Sequence, residues 1–184
     1  MSPGELEIAM SERKVKGAVI TGYMKFIKKT WGQEGVDECL AAVGLGGTSI
    51  SDGKWYDDQL STDVVAWIAD RKGGDYVEKC GRYTVRDLGL LSYIVRFMDI
   101  KSLLRRGPES YAEAFSYGYL KVEIGEKKAA VRVKGHAPFD KHGCKMWLGV
   151  LGGMLAMTKT KGRVIETKCE NKGSEFCEFE MEWE

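Results

Sequence analysis

The sequence predicts an α+β fold: N-terminal helices, then two β-hairpins forming an antiparallel sheet, with a helix over about 139–158 between the hairpins. Three observations lead there. Apolar residues recur at three- and four-residue spacing through the N-terminal half, the period of helices with one buried face. From Tyr119 the period becomes two, with Leu120, Val122 and Ile124 on one strand and Ala129, Val131 and Val133 on the next, across a turn opened by Gly125-Glu126. The closing CEFEMEWE alternates without interruption, placing Cys177, Phe179, Met181 and Trp183 toward a core and its four glutamates toward water.

Composition bounds the class. The chain has 184 residues, 43% hydrophobic and 30% charged, with a formal net charge of +1. That length suits one domain burying roughly 70% of its unfolded surface, with no need of disulfides. The boundaries expected are a flexible polar tail over 1–12 and a single domain over 13–184. Near-neutral charge argues against nucleic acid as a partner. The N-terminus carries Glu5, Glu7 and Glu12 and no continuous apolar region, unlike a signal peptide. No run approaches the length of a membrane span, so a cytoplasmic protein with reduced thiols is expected.

The helices follow from their stripes. Val15, Val19, Tyr23, Phe26 and Ile27 lie on one face of a helix starting at Lys14 and ending at Gly32. Val36, Cys39, Leu40 and Val43 form a shorter one ending at Gly44, with Cys39 as a core residue. The segment GLGGTSISDGKWYDD reads as a loop. It is not a phosphate loop, because Gly47 and Gly53 enclose five residues instead of four and Trp55 stands where Ser or Thr is required. Ser61 or Thr62 opens a helix through Val65, Trp67 and Ile68. A further helix runs from about Asp75 or Thr84 to Phe97, carrying Leu88, Leu91, Ile94 and Val95. The segment 99–118 is helical on both sides of a break at Gly107-Pro108. The helix between the hairpins buries Trp147, Val150, Leu151, Met154 and Leu155, and its Gly149, Gly152 and Gly153 admit a close neighbour.

Chemistry concentrates in the C-terminal third. Cys169 and Cys177 flank an Asn-Lys-Gly-Ser turn, Glu166 precedes the first by three residues, and Cys144 opens the preceding helix. A helix folding back on its own hairpin brings all four together as a closed tetrahedral set of the kind that holds structural zinc. Glu166 and Cys169, three apart, point to opposite faces of a regular strand, so the site requires a bulge or an early strand end near Lys168. A disulfide and a pair of buried core thiols remain open as alternatives. Three thiolates and a carboxylate around a divalent ion leave a formal charge of −2, which Lys145, Lys168 or Lys172 can offset.

The block HGCKMWLGVLGGMLA…VIETKCENKGSEFCEFEMEW resembles the 4-vinyl reductase, or hydrocarbon-binding, domain family, with its helix cysteine followed by E-x2-C-x7-C around a glycine turn. In aromatic-sensing regulators of that family these positions bind one zinc ion, which by resemblance assigns Cys144, Glu166, Cys169 and Cys177 as metal ligands. The N-terminal VKGAVITGYMKFIKKTWGQEGVDECLAAVG is similar to the opening of haem-nitric oxide/oxygen-binding domains, which share a superfamily fold with the 4-vinyl reductase domains and with TRAPP subunits. The two blocks cover about 75 residues. The resemblance implies a domain that senses or carries a small hydrophobic or aromatic molecule and is stabilised by structural zinc. Phe97, Phe115, Tyr119, His136, Trp147 and Val164 are compatible with such a pocket, although aromatic stripes of this kind are usually plain core.

The haem-binding members use a mid-chain histidine and a Tyr-x-Ser-x-Arg motif. Here the histidines are His136 and His142, both late, and the motif is missing, which argues against His-ligated haem. Two other functions remain as alternatives. A reductase of tetrapyrrole metabolism needs an electron source, and the sequence carries neither a dinucleotide fingerprint nor a cluster-type cysteine run, which leans away from an enzyme. A dimerising interaction module would use the long N-terminal helix in a homodimer.

Overall fold

The computed structural model describes residues 13–86, 98–135 and 142–184. Strand β1 (Lys14–Lys16) leads into helix α1 (Gly17–Ala42) and, after a loop, into β2 (Trp55–Asp57) and helices α2 (Asp58–Lys72) and α3 (Gly74–Arg86). Helices α4 (Ile100–Arg105) and α5 (Gly107–Ala114) precede the hairpin β3 (Tyr119–Ile124) and β4 (Lys128–Lys134). Helix α6 (Gly143–Met157), β5 (Gly162–Lys168), a 3-10 turn at Glu170–Lys172 and β6 (Cys177–Trp183) complete the described elements. The expected α+β class is the one observed, with an antiparallel sheet in the order β3-β4-β6-β5.

Local chemistry explains the element ends. Gly32 takes φ +75°, breaking α1 where the sequence places the end of the first helix. Asp57 caps α2 by accepting from the Gln59 amide at 3.0 Å, and Gly73 closes it at φ +82°. Asp99 caps α4 through the Ser102 amide at 2.9 Å, and Pro108 occupies the first turn of α5, where no amide donor is needed.

Three local expectations are corrected. Helix α2 opens at Asp58 with Asp57 as its cap, and not at Ser61 or Thr62. Residues 14–16 form a strand instead of the first helical turn, because Val15 pairs with Tyr56 and is fully buried there. Pairing with Trp55–Asp57 therefore overrides the helical stripe and turns the end of the expected loop into β2. The tail over 1–12, the helix stretch at 87–97 and the first residues of the helix expected over 139–158 lie outside the described residues.

Two apolar clusters divide the interior. The first is built from α1, α2 and α3, around Ile20, Ile27, Val64, Ile68 and Val77, with Cys39 and Cys80 fully buried inside it. Burial pushes the Cys39 thiol up to about 12, so it behaves as a small hydrophobe. The second lies between the sheet and α6, around Leu151, Leu155, Val131, Phe179 and Met181. Helix α6 is the shared wall: its Met146 belongs to the first cluster, its Leu151 and Leu155 to the second.

Helices α3 and α6 are joined at glycines. A Cβ on Gly149 would overlap the carbonyl oxygen of Glu78, and one on Gly81 would overlap that of Met146. A Cβ on Gly153 would lie 3.0 Å from the Arg82 carbonyl oxygen. These helices touch backbone to backbone. Gly149→Ala is thus expected to cost about 1–3 kcal/mol through overpacking, despite alanine's better helix propensity, read as a lower urea midpoint at unchanged m-value.

Candidate metal centre

Four donors from three elements converge. Cys144 comes from the first turn of α6, Glu166 from β5, Cys169 from the residue after that strand, and Cys177 from the start of β6. One ligand atom from each lies within 4.8 Å of all the others. The Cys144 sulfur is 3.3 Å from that of Cys169 and 3.4 Å from that of Cys177. These separations are far beyond a disulfide bond of about 2.05 Å, and all five cysteines are free thiols. Sulfurs around tetrahedral zinc stand about 3.8 Å apart, so the cluster fits such an ion after widening by a few tenths of an ångström.

The register of the last hairpin makes the convergence possible. Glu166 pairs with Phe179 and Lys168 with Glu178, so the ladder skips a residue at Thr167. This bulge changes the facing of the chain between Glu166 and Cys169, as the spacing required. Glu178 fastens it. Its carboxylate takes the Arg132 guanidinium at 2.6 Å, the Lys168 ammonium at 3.1 Å and the Thr167 hydroxyl at 3.2 Å. Alternation predicts that Glu178 faces water, whereas it is buried, because three donors on the outer sheet face close over it. Its partner Arg132 lies opposite in the β4–β6 register, which single-strand alternation does not show.

The electrostatics fit a cation. Oε1 of Glu166 is buried without a hydrogen-bond partner, while Oε2 lies 3.6 Å from the Lys172 ammonium. Of the three lysines considered for charge compensation, Lys172 pairs with a ligand, and Lys168 pairs with Glu178. The Cys144 thiol is pushed far up by its contact with Cys177 and by burial. Cys177 is drawn down to about 7, chiefly by the hydrogen bond from Cys144, with the Glu170 amide donating to its sulfur at 3.4 Å. Burial, first among its causes, raises Cys169. A divalent ion would replace the shared proton and stabilise the thiolates outright.

The residues considered for a pocket fall in different places. Phe115 and Trp147 both lie against Tyr111, at ring separations of 4.9 and 6.1 Å, and Phe115 packs against both apolar clusters. Val164 packs into the second cluster. Tyr119 belongs to neither cluster, and the Lys121 ammonium sits 4.7 Å from its ring centre. Phe97 and His136 lie outside the described residues. Sequence reasoning did not single out Arg13, Asp58, Gly135 or Glu170, whose polar contacts run between the two clusters. A charged residue in an apolar stretch is the usual signal for such a group, and none of the four has that context.

No protein-family model and no curated protein matches the chain. Solved structures do. An H-NOX protein from S. oneidensis in the Fe(II)NO ligation state matches with a TM-score of 0.75 at 17% identity, over 92% of this chain and 99% of that one. An oxygen-binding H-NOX domain related to soluble guanylate cyclases matches with a TM-score of 0.71 at 16% identity, over 92% and 95%. A structure probing heme distortion in the H-NOX family matches at 0.73 and 16%, over 92% and 95%. The fold is therefore that of H-NOX domains.

The expectation against haem is overturned by these likenesses. It rests on a missing histidine position and one short motif, whereas the structural match to proteins described by heme and Fe(II)NO spans 92% of the chain. The lack of those motifs is no ground for excluding haem from this fold. Among the described residues, no helix is long and apolar enough to cross a membrane.

The bulge makes its own prediction. Arg132 holds the Glu178 carboxyl below its ordinary value. The ion pair thus adds stability above the ordinary carboxylate pKa, and that stability is lost as pH falls through the lowered one. Glu178→Gln should lose about 1.5–3 kcal/mol at neutral pH and show a flatter decline in urea midpoint from about pH 7 to about pH 3 than the wild type.

Proposed function

We propose that this chain is a small-molecule-binding domain of the 4-vinyl reductase type, a sensor or carrier, whose C-terminal half is held together by zinc on Cys144, Glu166, Cys169 and Cys177. The observation that carries the zinc reading is the convergence of three thiols and a carboxylate within 4.8 Å, with a buried carboxylate oxygen lacking a hydrogen-bond partner. Four protein ligands leave no open position, so the role is structural: zinc ties the start of α6 to both strands of the last hairpin. These residues would hold the ion, Lys172 would offset charge, and the Glu170 amide would orient Cys177.

The sensor reading rests on the fold. Its structural relatives include a domain described as oxygen-binding and a protein in a Fe(II)NO state. The aromatic group of Tyr111, Phe115 and Trp147, in the second apolar cluster with Phe115 reaching the first, supplies flat apolar surface for a ligand in this chain. Haem and small aromatic compounds are both tested as ligands.

Native mass spectrometry of the purified protein, repeated in acid, is expected to show one zinc mass that leaves as the fold is lost. At a thousandfold excess over its dissociation constant, zinc adds about 4 kcal/mol, so stripping it should lower the melting midpoint by roughly 8–16 °C. Cys169→Ser should lose both the mass and the shift. A native mass equal to the bare chain ends the zinc reading. Haemin titration is read separately: a Soret band at one equivalent names haem as the ligand, and its absence sends the search to aromatic compounds.

A further inference from the structure

A row of polar contacts leads away from the cluster toward the N-terminal helices. The Glu170 amide donates to the Cys177 sulfur at 3.4 Å. The side chain of the same Glu170 accepts the Gly135 amide evenly, at 3.3 and 3.2 Å to its two oxygens. The Gly135 carbonyl accepts from the Arg13 guanidinium. Arg13 pairs with Asp58 at 2.9 Å and is stacked on the Tyr117 ring at 3.7 Å. Asp58 is the first residue of α2, and its own amide donates back to the Arg13 carbonyl at 3.1 Å.

We propose that this row, Cys177–Glu170–Gly135–Arg13–Asp58, is a mechanical link through which filling the cysteine site tightens the start of α2. The proposal rests on the zinc reading above and adds the element that responds. Three features distinguish the row from ordinary surface contacts. Arg13 and Asp58 are 8% and 6% exposed, so each charge depends on the other and neither has water to fall back on. Gly135 stands at φ +101°, and a Cβ there would lie 2.9 Å from the Gly118 Cα, so only glycine lets this backbone serve Glu170 and Arg13 together. The row also joins the two apolar clusters by a path that bypasses the α3–α6 contact.

The physics is that of ligand orientation transmitted outward. A thiolate on a divalent ion is fixed in place and charged, which strengthens and orients its amide donor. That donor belongs to the turn Glu170–Lys172, so fixing it fixes the Glu170 carboxylate, and through Gly135 the guanidinium that Asp58 requires. Coupling between two sites is a measurable factor, commonly 5- to 150-fold.

Amide hydrogen exchange on the metal-free and zinc-loaded protein tests this, with native mass spectrometry on the same samples reporting zinc uptake. In the wild type, zinc should slow exchange over residues 58–65 roughly tenfold more than over residues 20–27, which lie in the same apolar cluster but off the row. Glu170→Ala removes the carboxylate and keeps the backbone amide. It should bind zinc and protect 143–148 and 177–181 while losing the extra protection at 58–65. Asp58→Asn should lose it from the other end. Uniform slowing of 58–65 and 20–27, or extra protection that survives Glu170→Ala, would overturn the link while leaving the zinc reading intact. Absence of zinc uptake by the wild type would overturn both.

Discussion

The arrangement of this molecule depends on the backbone contact between helix α3 and helix α6. Glycines on each helix face carbonyl oxygens of the other, so the two axes approach more closely than any side chain would permit. Helix α6 is thereby fixed from the N-terminal side, with Met146 in one apolar cluster and Leu151 and Leu155 in the other. Its first turn carries Cys144, and the next position along the same face carries Trp147. One helix thus supplies both a donor to the thiol cluster and Trp147 to the aromatic group around Tyr111. Their position is set by glycines that have no chemistry of their own.

The candidate centre adds a second fixed point. Without the bulge at Thr167, Glu166 and Cys169 would face opposite sides of the sheet and the donor set would fall to three thiols. The bulge survives because Glu178, on the outer face, gathers Arg132, Lys168 and Thr167 around one carboxylate. A carboxylate with three donors repays its burial, where one left alone would be protonated or expelled. The polar face of the sheet thus shapes a site on the apolar face.

Much of this was legible in the sequence where the period was long and unbroken. The β3–β4 hairpin, the closing strand, the break at Gly32 and helix α6 all lie where alternation, helical stripe or glycine predicts them. The need for an irregularity near Lys168 also follows from spacing, because a three-residue offset on a regular strand puts the two side chains on opposite faces. What the sequence hides is pairing between distant segments. Val15 reads as part of a helix until Tyr56 comes to lie beside it, and Glu178 reads as a solvated glutamate until Arg132 lies across from it. Arg13 and Asp58, 45 residues apart, carry no local sign that they will be buried together. The case against haem fails for a related reason: a histidine position and one short motif are local evidence, and a fold is not.

The same distinction bears on how the proposed sensor would work. Were the proposed zinc bound, its four protein ligands would leave no position for a signal, and a response would pass through the structure it stiffens. Among the described residues, two of the connections from the C-terminal half to the N-terminal helices differ in kind. The α3–α6 glycine contact is a rigid seam, since carbonyl against Cα leaves no alternative packing. The polar row through Glu170, Gly135 and Arg13 is made of hydrogen bonds that can open one at a time. A ligand seated against Tyr111, Phe115 and Trp147 would lie beside that row, because Tyr117 joins Phe115 at 5.7 Å and Arg13 at 3.7 Å. The proposed link therefore runs past the aromatic group, while the α3–α6 seam fixes the frame around it.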